Sequence, residues 1–226
     1  IQSTWFRRMA VSEICSTYSN PITITVYPSI INNSIAGDSM QYTCYNTSKE
    51  LTGIDGLAGG KPEEPYRYIW ERSVDTGDWD PAEGINAGSV YQSPPLTDTV
   101  FYRRIVLSGE EDQCKDTTQP VLIRIHALPT GDIISDIDTA CTGNTIPVSY
   151  EDLKGESPWA MSLGVDGITY TETEITDTSG TIEFPAVETG NVRLQDLVDA
   201  NNCHIDLSTT SGTINLTVYP YPEAFA

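Results

Sequence analysis

The feature that most constrains the fold of this 226-residue chain is a segment that occurs three times. Each copy has a cysteine, a polar stretch with Ser or Thr, a run of alternating apolar residues and then a proline. The copies run from Cys15 to Pro28, from Cys114 to Pro129 and from Cys203 to Pro220, so successive prolines lie 101 and 91 residues apart. A period of about 90–100 residues is typical of a β-sandwich domain repeated in tandem.

The prolines divide the chain into one partial and two complete units. We expect residues 1–28 to be the C-terminal strands of a truncated immunoglobulin-like repeat, residues 29–128 a complete domain, and residues 129–226 a second, divergent domain with a linker to a next repeat. Phe6-Arg7-Arg8-Met9 supports the first assignment, because it matches Tyr102-Arg103-Arg104-Ile105 at an offset of 96 residues.

The local sequence signals are all those of β-strands. Apolar residues alternate with polar ones in residues 22–26, 66–70 and 213–218, and no segment keeps a helical period. Residues 192–200 are the best helical candidate, yet they alternate nearly as well and are predicted as a strand. The predicted fold class is all-β, with tandem immunoglobulin-like β-sandwich domains.

The cysteines indicate disulfides rather than a metal centre. No Cys-x-x-Cys pair is present, and the only histidine near a cysteine is His204, so a zinc site is unsupported. Widely spaced cysteines in an acidic chain fit an oxidising compartment. We expect one bridge in each complete repeat and one cysteine without a partner. The predicted bridges are Cys44–Cys114 and Cys141–Cys203, with Cys15 unpaired.

The charge balance excludes several classes of partner. The chain has 32 acidic and 12 basic side chains, which gives a net charge of −20. A surface this negative repels phosphate, so we expect no nucleic-acid partner. No stretch approaches the ~20 apolar residues that cross a bilayer, and no leader sequence is evident, so we expect no membrane insertion either.

The second unit carries motifs that can be compared with known repeats. It contains Tyr66-x-Tyr68-x-Trp70-x-x-Ser73 and later Thr99-x-x-Tyr102-Arg103-Arg104, and the third unit contains Leu153-x-Gly155-x-x-Pro158-Trp159. These motifs resemble the tandem immunoglobulin-like repeats of large Bacteroidetes surface proteins, the SprB-like gliding-motility adhesins exported by the type 9 secretion system. The resemblance implies an extracellular, filament-like adhesin without catalytic residues. Independently, Cys44, Trp70 and Cys114 follow the Cys–Trp–Cys order of an immunoglobulin sandwich, although the first spacing is long.

Residues that could support catalysis are few. Glu63-Glu64 and residues 110–112 are paired carboxylates, but they are sequence neighbours beside Pro or Gly and are interpreted as loop charge rather than as an acid–base pair. His126 and His204 are the only histidines, and neither belongs to a recognisable triad. We therefore predict that the chain is not an enzyme and has no catalytic residue.

Three other patterns each have two interpretations. Arg103-Arg104 is either an anion or glycan contact or a strand whose outward Arg pairs with a carboxylate across the sheet, and the second is favoured. Asp132, Asp136 and Asp138 have oxygen ligands suited to calcium but match no EF-hand loop, so no cofactor is expected apart from a calcium candidate at this domain junction. Trp70 is predicted as core, whereas an exposed Trp79, Tyr91 or Trp159 would favour sugar binding.

The sequence also offers sites for covalent sugar. Secreted proteins of the group that the chain resembles are often O-glycosylated where Asp is followed by Ser or Thr and then by Thr or an apolar residue. Four positions fit this pattern: Ser39, Thr99, Thr117 and Thr139.

Together these features predict a structural or adhesive segment of a long extracellular surface fibre. Its expected partners are neighbouring repeats of the same chain, with a surface polysaccharide as a further candidate. The rival prediction is a glycan-binding accessory module of a secreted multidomain enzyme, which an exposed row of aromatic residues would favour.

Overall fold

The computed structural model describes residues 1–210 and 212–222 of the chain. Over these residues the secondary structure consists of β-strands and two single-turn 3₁₀ helices, Glu110–Asp112 and Leu207–Thr209. The predicted all-β class is therefore confirmed. Contacts divide the chain into two compact units, Ile1–Ile125 and His126–Ala226. No helix in the described part of the chain is long and apolar enough to cross a membrane.

The first four strands form a ribbon of their own. They are β1 (Gln2–Phe6), β2 (Met9–Ser12), β3 (Cys15–Tyr18) and β4 (Ile22–Val26). β1 pairs with β4 and β2 pairs with β3, both antiparallel, and every residue in the four strands is exposed. No ladder among the described residues joins this ribbon to a later sheet. Its origin in a truncated repeat stays a prediction.

The rest of the first unit is a β-sandwich with a large and a small sheet. The large sheet contains β5 (Met40–Cys44), β7 (Arg67–Ser73), β8 (Asp80–Pro81), β10 (Val100–Ser108), β11 (Cys114–Thr117) and β12 (Val121–His126). Its order is β5-β12-β10-β7-β8, and β11 pairs with the far end of β10. The small sheet pairs β6 (Glu50–Thr52) with β9 (Val90–Gln92).

The second unit is also a sandwich. One sheet has the order β13-β15-β18, formed by β13 (Thr130–Ile134), β15 (Thr145–Lys154) and β18 (Gly180–Pro185). The other has the order β14-β20-β19-β16-β17, formed by β14 (Thr139–Cys141), β16 (Trp159–Val165), β17 (Ile168–Ile175), β19 (Gly190–Val198) and β20 (Thr213–Tyr219). Residues 192–198 thus form the strand that their alternation predicts.

The two sandwiches have the same topology. The order β5-β12-β10-β7-β8 in the first matches β14-β20-β19-β16-β17 in the second, strand for strand along the chain. The equivalent strands β7 and β16 each contribute a core tryptophan, Trp70 and Trp159, which are 0% and 4% exposed. Each indole satisfies its N–H inside the fold: Trp70 donates to the carbonyl of Gly88 at 2.9 Å and Trp159 to that of Lys154 at 3.1 Å.

Each core is built from the inward residues of its own strands. In the first sandwich Tyr91 packs between Trp70 and Tyr102, with ring centroids 5.7 and 5.4 Å away. In the second, Leu163 and Phe184 are fully buried from opposite sheets. The buried apolar residues form two separate clusters, one in each domain. Because burying a large apolar side chain contributes about 1.5–3 kcal/mol, each cluster stabilises its own domain.

Candidate functional site

Three of the paired carboxylates, Glu64, Glu110 and Asp112, form ion pairs at the surface. Lys61 contacts Glu64 and also lies 3.3 Å from Glu110, while Arg67 contacts Asp112. The hydrogen bond to Glu64 is the main reason that the pKa of Lys61 is raised above its ordinary value. These carboxylates each face a cation in solvent, which differs from the two carboxylates at one pocket that acid–base catalysis requires.

His204 forms a surface pair with a carboxylate. Its Nδ1 lies 2.9 Å from Oδ2 of Asp196, and its side chain is 60% exposed. A hydrolytic triad would also need a hydroxyl or thiol beside the imidazole. The adjacent residue cannot supply one, because Cys203 is buried and disulfide-bonded. His126, the other histidine of the chain, is the last residue of β12.

The Arg103-Arg104 pair divides between the two faces of β10. Arg103 points outward, and its guanidinium lies 2.6 Å from Glu71, the residue directly opposite it on β7. The same guanidinium lies 4.1 Å from the centroid of the Trp79 ring. At Arg103 the structure agrees with the favoured interpretation, in which an outward Arg pairs with a carboxylate across the sheet.

Arg104 is the residue whose environment the sequence did not reveal. It is 1% exposed, and its three acceptors are neutral: Asn33 Oδ1 at 3.0 Å, the Ser34 carbonyl at 3.2 Å and the Ser89 carbonyl at 3.4 Å. Burial lowers the pKa of Arg104 from its ordinary value. An available signal was its spacing from Tyr102, since residues two apart in a strand share a face and Tyr102 is an evident core residue.

A glycine makes room for this buried guanidinium. A β-carbon added to Gly53 would lie 1.1 Å from Nη1 of Arg104, so any side chain at that position would displace the charged group. The guanidinium thereby connects β10 to the segment before β5 and to the loop before β9. A buried arginine that donates to fixed carbonyls orders these loops, and its position excludes contact with an external anion.

The aromatic residues proposed for sugar binding are mostly in the cores. Tyr91 and Trp159 are 0% and 4% exposed, so neither can stack on a ligand. Trp79 is half-buried, with Arg103 across its ring. The exposed aromatic row that would favour the rival function is therefore not formed by these three residues.

The proposed calcium ligands do not form a cluster. Asp132 and Asp138 line one surface depression together with Glu151. Within the described residues, however, no group of three or more His, Cys, Asp or Glu side chains is arranged to hold a metal ion, and this includes Asp132, Asp136 and Asp138.

The predicted Cys44–Cys114 bridge is wrong, because Cys114 has a free thiol. Cys44 ends β5 next to Leu96, whose carbonyl accepts from Asn46 N at 2.7 Å, close to where β10 begins. Cys114 pairs with Ser108 at the other end of β10. The eight steps along β10 span about 26 Å, whereas a disulfide needs Cα atoms about 4.4–6.8 Å apart.

The predicted Cys141–Cys203 bridge is wrong for the same reason. Cys141 has a free thiol and lies opposite Tyr219 at the end of β20, near the start of β19. Cys203 follows the other end of β19, where Asp199 N donates to its carbonyl. Cys15 has a free, exposed thiol, as expected, and Cys44 and Cys203 are disulfide-bonded.

The four candidate glycosylation residues are all exposed. Ser39 and Thr99 lie in loops directly before β5 and β10, Thr117 ends β11 and Thr139 begins β14. Each hydroxyl is at a strand end or in a loop, where a transferase can reach it. Whether they are modified stays a prediction.

Comparisons with known proteins do not assign a role to this chain. The family described as "Domain of unknown function (DUF8696)" matches residues 32–127. No curated protein matches the chain. The chain is similar to the fibronectin(III)-like modules of Clostridium thermocellum CbhA, with 9% identity, a TM-score of 0.44, and coverage of 81% of this chain and 94% of that one.

Two animal proteins show a likeness of the same degree. The FN1–FN3 domains of chicken CNTN1 match at 13% identity and a TM-score of 0.42, covering 95% of this chain and 75% of that one. A marsupial T cell receptor matches at 9% identity and a TM-score of 0.45, covering 87% and 75%. Such loose likenesses carry no statement about function. The sheet orders themselves define the chain as tandem modules of the immunoglobulin and fibronectin III type.

Proposed function

We propose that this chain is a non-catalytic, structural or adhesive segment of a long extracellular surface fibre. The observation that carries the proposal is that each sandwich receives the chain at one end and releases it at the other. Domains connected in this way can be added in series, and each transmits tension along its central strands.

The first domain shows this arrangement within itself. Pro28, at its start, accepts a hydrogen bond from Gly60 N at 2.9 Å, and the neighbouring Lys61 N donates to Ser108 Oγ at 2.9 Å. The chain therefore enters beside the last residue of β10. It leaves along β12, which runs past Val100 at the beginning of β10.

In the second domain, too, the chain enters at one end of the sandwich and leaves at the other. Gly155 lies between Pro129 and Asp199, since a β-carbon there would be 3.2 Å from the first and 3.1 Å from the second. The chain thus enters beside the end of β19. It leaves along β20, where Leu216 lies opposite Gly190 at the start of β19. We call the end of each sandwich where the chain enters its N-pole and the other end its C-pole.

The charge and the aromatic residues support a fibre rather than a glycan-binding module. A net charge of −20 keeps neighbouring molecules apart and favours a solvated surface. Trp70, Trp159 and Tyr91 fill cores instead of forming a stacking platform. From the sequence resemblance to gliding-motility adhesins we further propose that the fibre belongs to a bacterial surface and is exported by the type 9 system.

Two experiments test this proposal. Antibodies raised against the chain and coupled to gold should label intact producing cells on surface filaments, and label that appears only after permeabilisation would contradict it. A glycan array distinguishes the rival function. We expect no saturable binding to any glycan. Binding that Trp79→Ala abolishes would establish the glycan-binding module instead, provided that the control Tyr45→Ala, at an exposed aromatic residue, leaves binding unchanged.

A further inference from the structure

Each domain has one cysteine at each pole. Cys114 and Cys203 occupy equivalent N-pole positions, just after β10 and β19. Cys44 and Cys141 occupy equivalent C-pole positions, as the last residues of β5 and β14. The two cysteines of one domain are separated by the length of its central strand, so neither can bond the other.

A cysteine can be disulfide-bonded at either pole. Cys44, at a C-pole, and Cys203, at an N-pole, are disulfide-bonded. Their counterparts Cys141 and Cys114 lie at the same poles, are half-buried and have free thiols. Each complete domain therefore contains one free cysteine, Cys114 at an N-pole and Cys141 at a C-pole, placed where the equivalent residue of the other domain is oxidised.

We propose that Cys114 and Cys141 form disulfides with other repeats of this kind, in which the C-pole cysteine of one repeat bonds the N-pole cysteine of another. The pairing of unlike poles follows from chain connectivity, since the chain leaves one repeat at its C-pole and enters the next at its N-pole. The inference rests on the repeat architecture and does not require the adhesive role proposed above.

The reaction is a thiol–disulfide exchange with a disulfide donor as oxidant. The thiols of Cys141 and of an N-pole cysteine lose two protons and two electrons as the S–S bond forms. The donor, for example oxidised glutathione, accepts both as its own S–S bond breaks and leaves as two thiols. In a tandem fibre such bonds would stabilise successive repeats by restricting the unfolded chain.

The test uses two full-length variants in a Cys15→Ser background, which removes the third free thiol. One variant is Cys114→Ser and retains Cys141, and the other is Cys141→Ser and retains Cys114. Circular dichroism first verifies that both keep the β-sheet spectrum. Each variant alone, and an equimolar mixture, is oxidised with glutathione disulfide and separated on non-reducing gels.

We expect each variant alone to stay monomeric and the mixture to give a covalent heterodimer that dithiothreitol dissolves. Peptide mapping should identify Cys141 of one chain bonded to Cys114 of the other. Three results would overturn the proposal: no covalent product in the mixture, homodimers formed by each variant as readily as heterodimers, or a bridge from Cys114 to Cys44 or from Cys141 to Cys203 in the oxidised parent chain.

Discussion

Replacing Gly53 by alanine isolates the contribution of the buried guanidinium of Arg104. The φ angle of Gly53 does not lie in the left-handed region, so alanine is compatible with the backbone there. The added β-carbon would nevertheless lie 1.1 Å from Nη1 of Arg104. The substitution therefore displaces the guanidinium and leaves the backbone unstrained.

The expected loss of stability follows from the bonds that the displacement breaks. Arg104 would lose its contacts to Asn33, Ser34 and Ser89 at 3.0, 3.2 and 3.4 Å while its charge stays buried. Leaving a buried charge without partners costs about 3–5 kcal/mol. Alanine in place of glycine stabilises by about 0.4–1 kcal/mol through the unfolded chain. The net effect is a loss of roughly 2–4 kcal/mol, or about 10–20 °C in the melting temperature of a domain of this size.

A double variant separates this mechanism from a general packing defect. Methionine at position 104 lacks the group that collides, so Gly53→Ala/Arg104→Met should be more stable than the sum of the single effects predicts, by about 2 kcal/mol. Gly77→Ala is the control, because that glycine is exposed and a β-carbon there would approach only the surface side chain of Asp75, with its Oδ1 at 3.2 Å. We expect it to change stability by less than about 0.5 kcal/mol.

Hydrogen exchange followed by mass spectrometry is the suitable assay, because peptides from residues 29–125 report on the first domain separately. Urea titrations of exchange give the free energy of unfolding of each variant. Wild-type stability in Gly53→Ala, or strictly additive effects in the double variant, would show that the guanidinium is not held as described.

Three further predictions concern pH, the outward arginine and covalent sugar. Burial raises the pKa of Tyr102 above its ordinary value, so the unfolded chain loses this proton first as the pH rises. The contribution of Tyr102 to stability is therefore complete below a pH of about 10 and declines above it. Tyr102→Phe should flatten this decline when the free energy of unfolding is measured by urea titration at several pH values. Arg103→Ala should cost no more than about 1 kcal/mol and increase acrylamide quenching of Trp79, which unchanged quenching would contradict. Native material should exceed the mass of the bare polypeptide, with sugar on one or more of Ser39, Thr99, Thr117 and Thr139, and an unmodified mass would exclude the modification.

The sequence predicts the strands and the domain type because these depend on local patterns. Alternation in residues 66–70 and 213–218 corresponds to β7 and β20, and the same signal correctly made residues 192–198 a strand. The position of Trp70 in the Cys–Trp–Cys order correctly indicated a core residue, 0% exposed. Each of these conclusions needs only the period-two geometry of a strand and the size of the side chain.

The cysteine pairing and the role of Arg104 depend instead on long-range register. Spacing along the chain shows that two cysteines enclose a domain, but not that Cys114 lies opposite Ser108, a full strand length from Cys44. Likewise, no local pattern reveals that the loop acceptors at Asn33 and Ser89 converge on Arg104 from distant segments. Such contacts are set by how loops cross the ends of a sandwich, which the strand signals do not encode.

The claim that this chain consists of self-contained domains loaded in series is tested most directly by single-molecule force extension. The chain is held by its two termini in dithiothreitol, so that disulfides do not limit extension. We expect two separate unfolding steps, each releasing about 30 nm, because about 95 residues per domain extend by roughly 3.3–3.6 Å each and the folded length is subtracted. A single step that releases both domains together, or extension without resolved steps, would contradict the account.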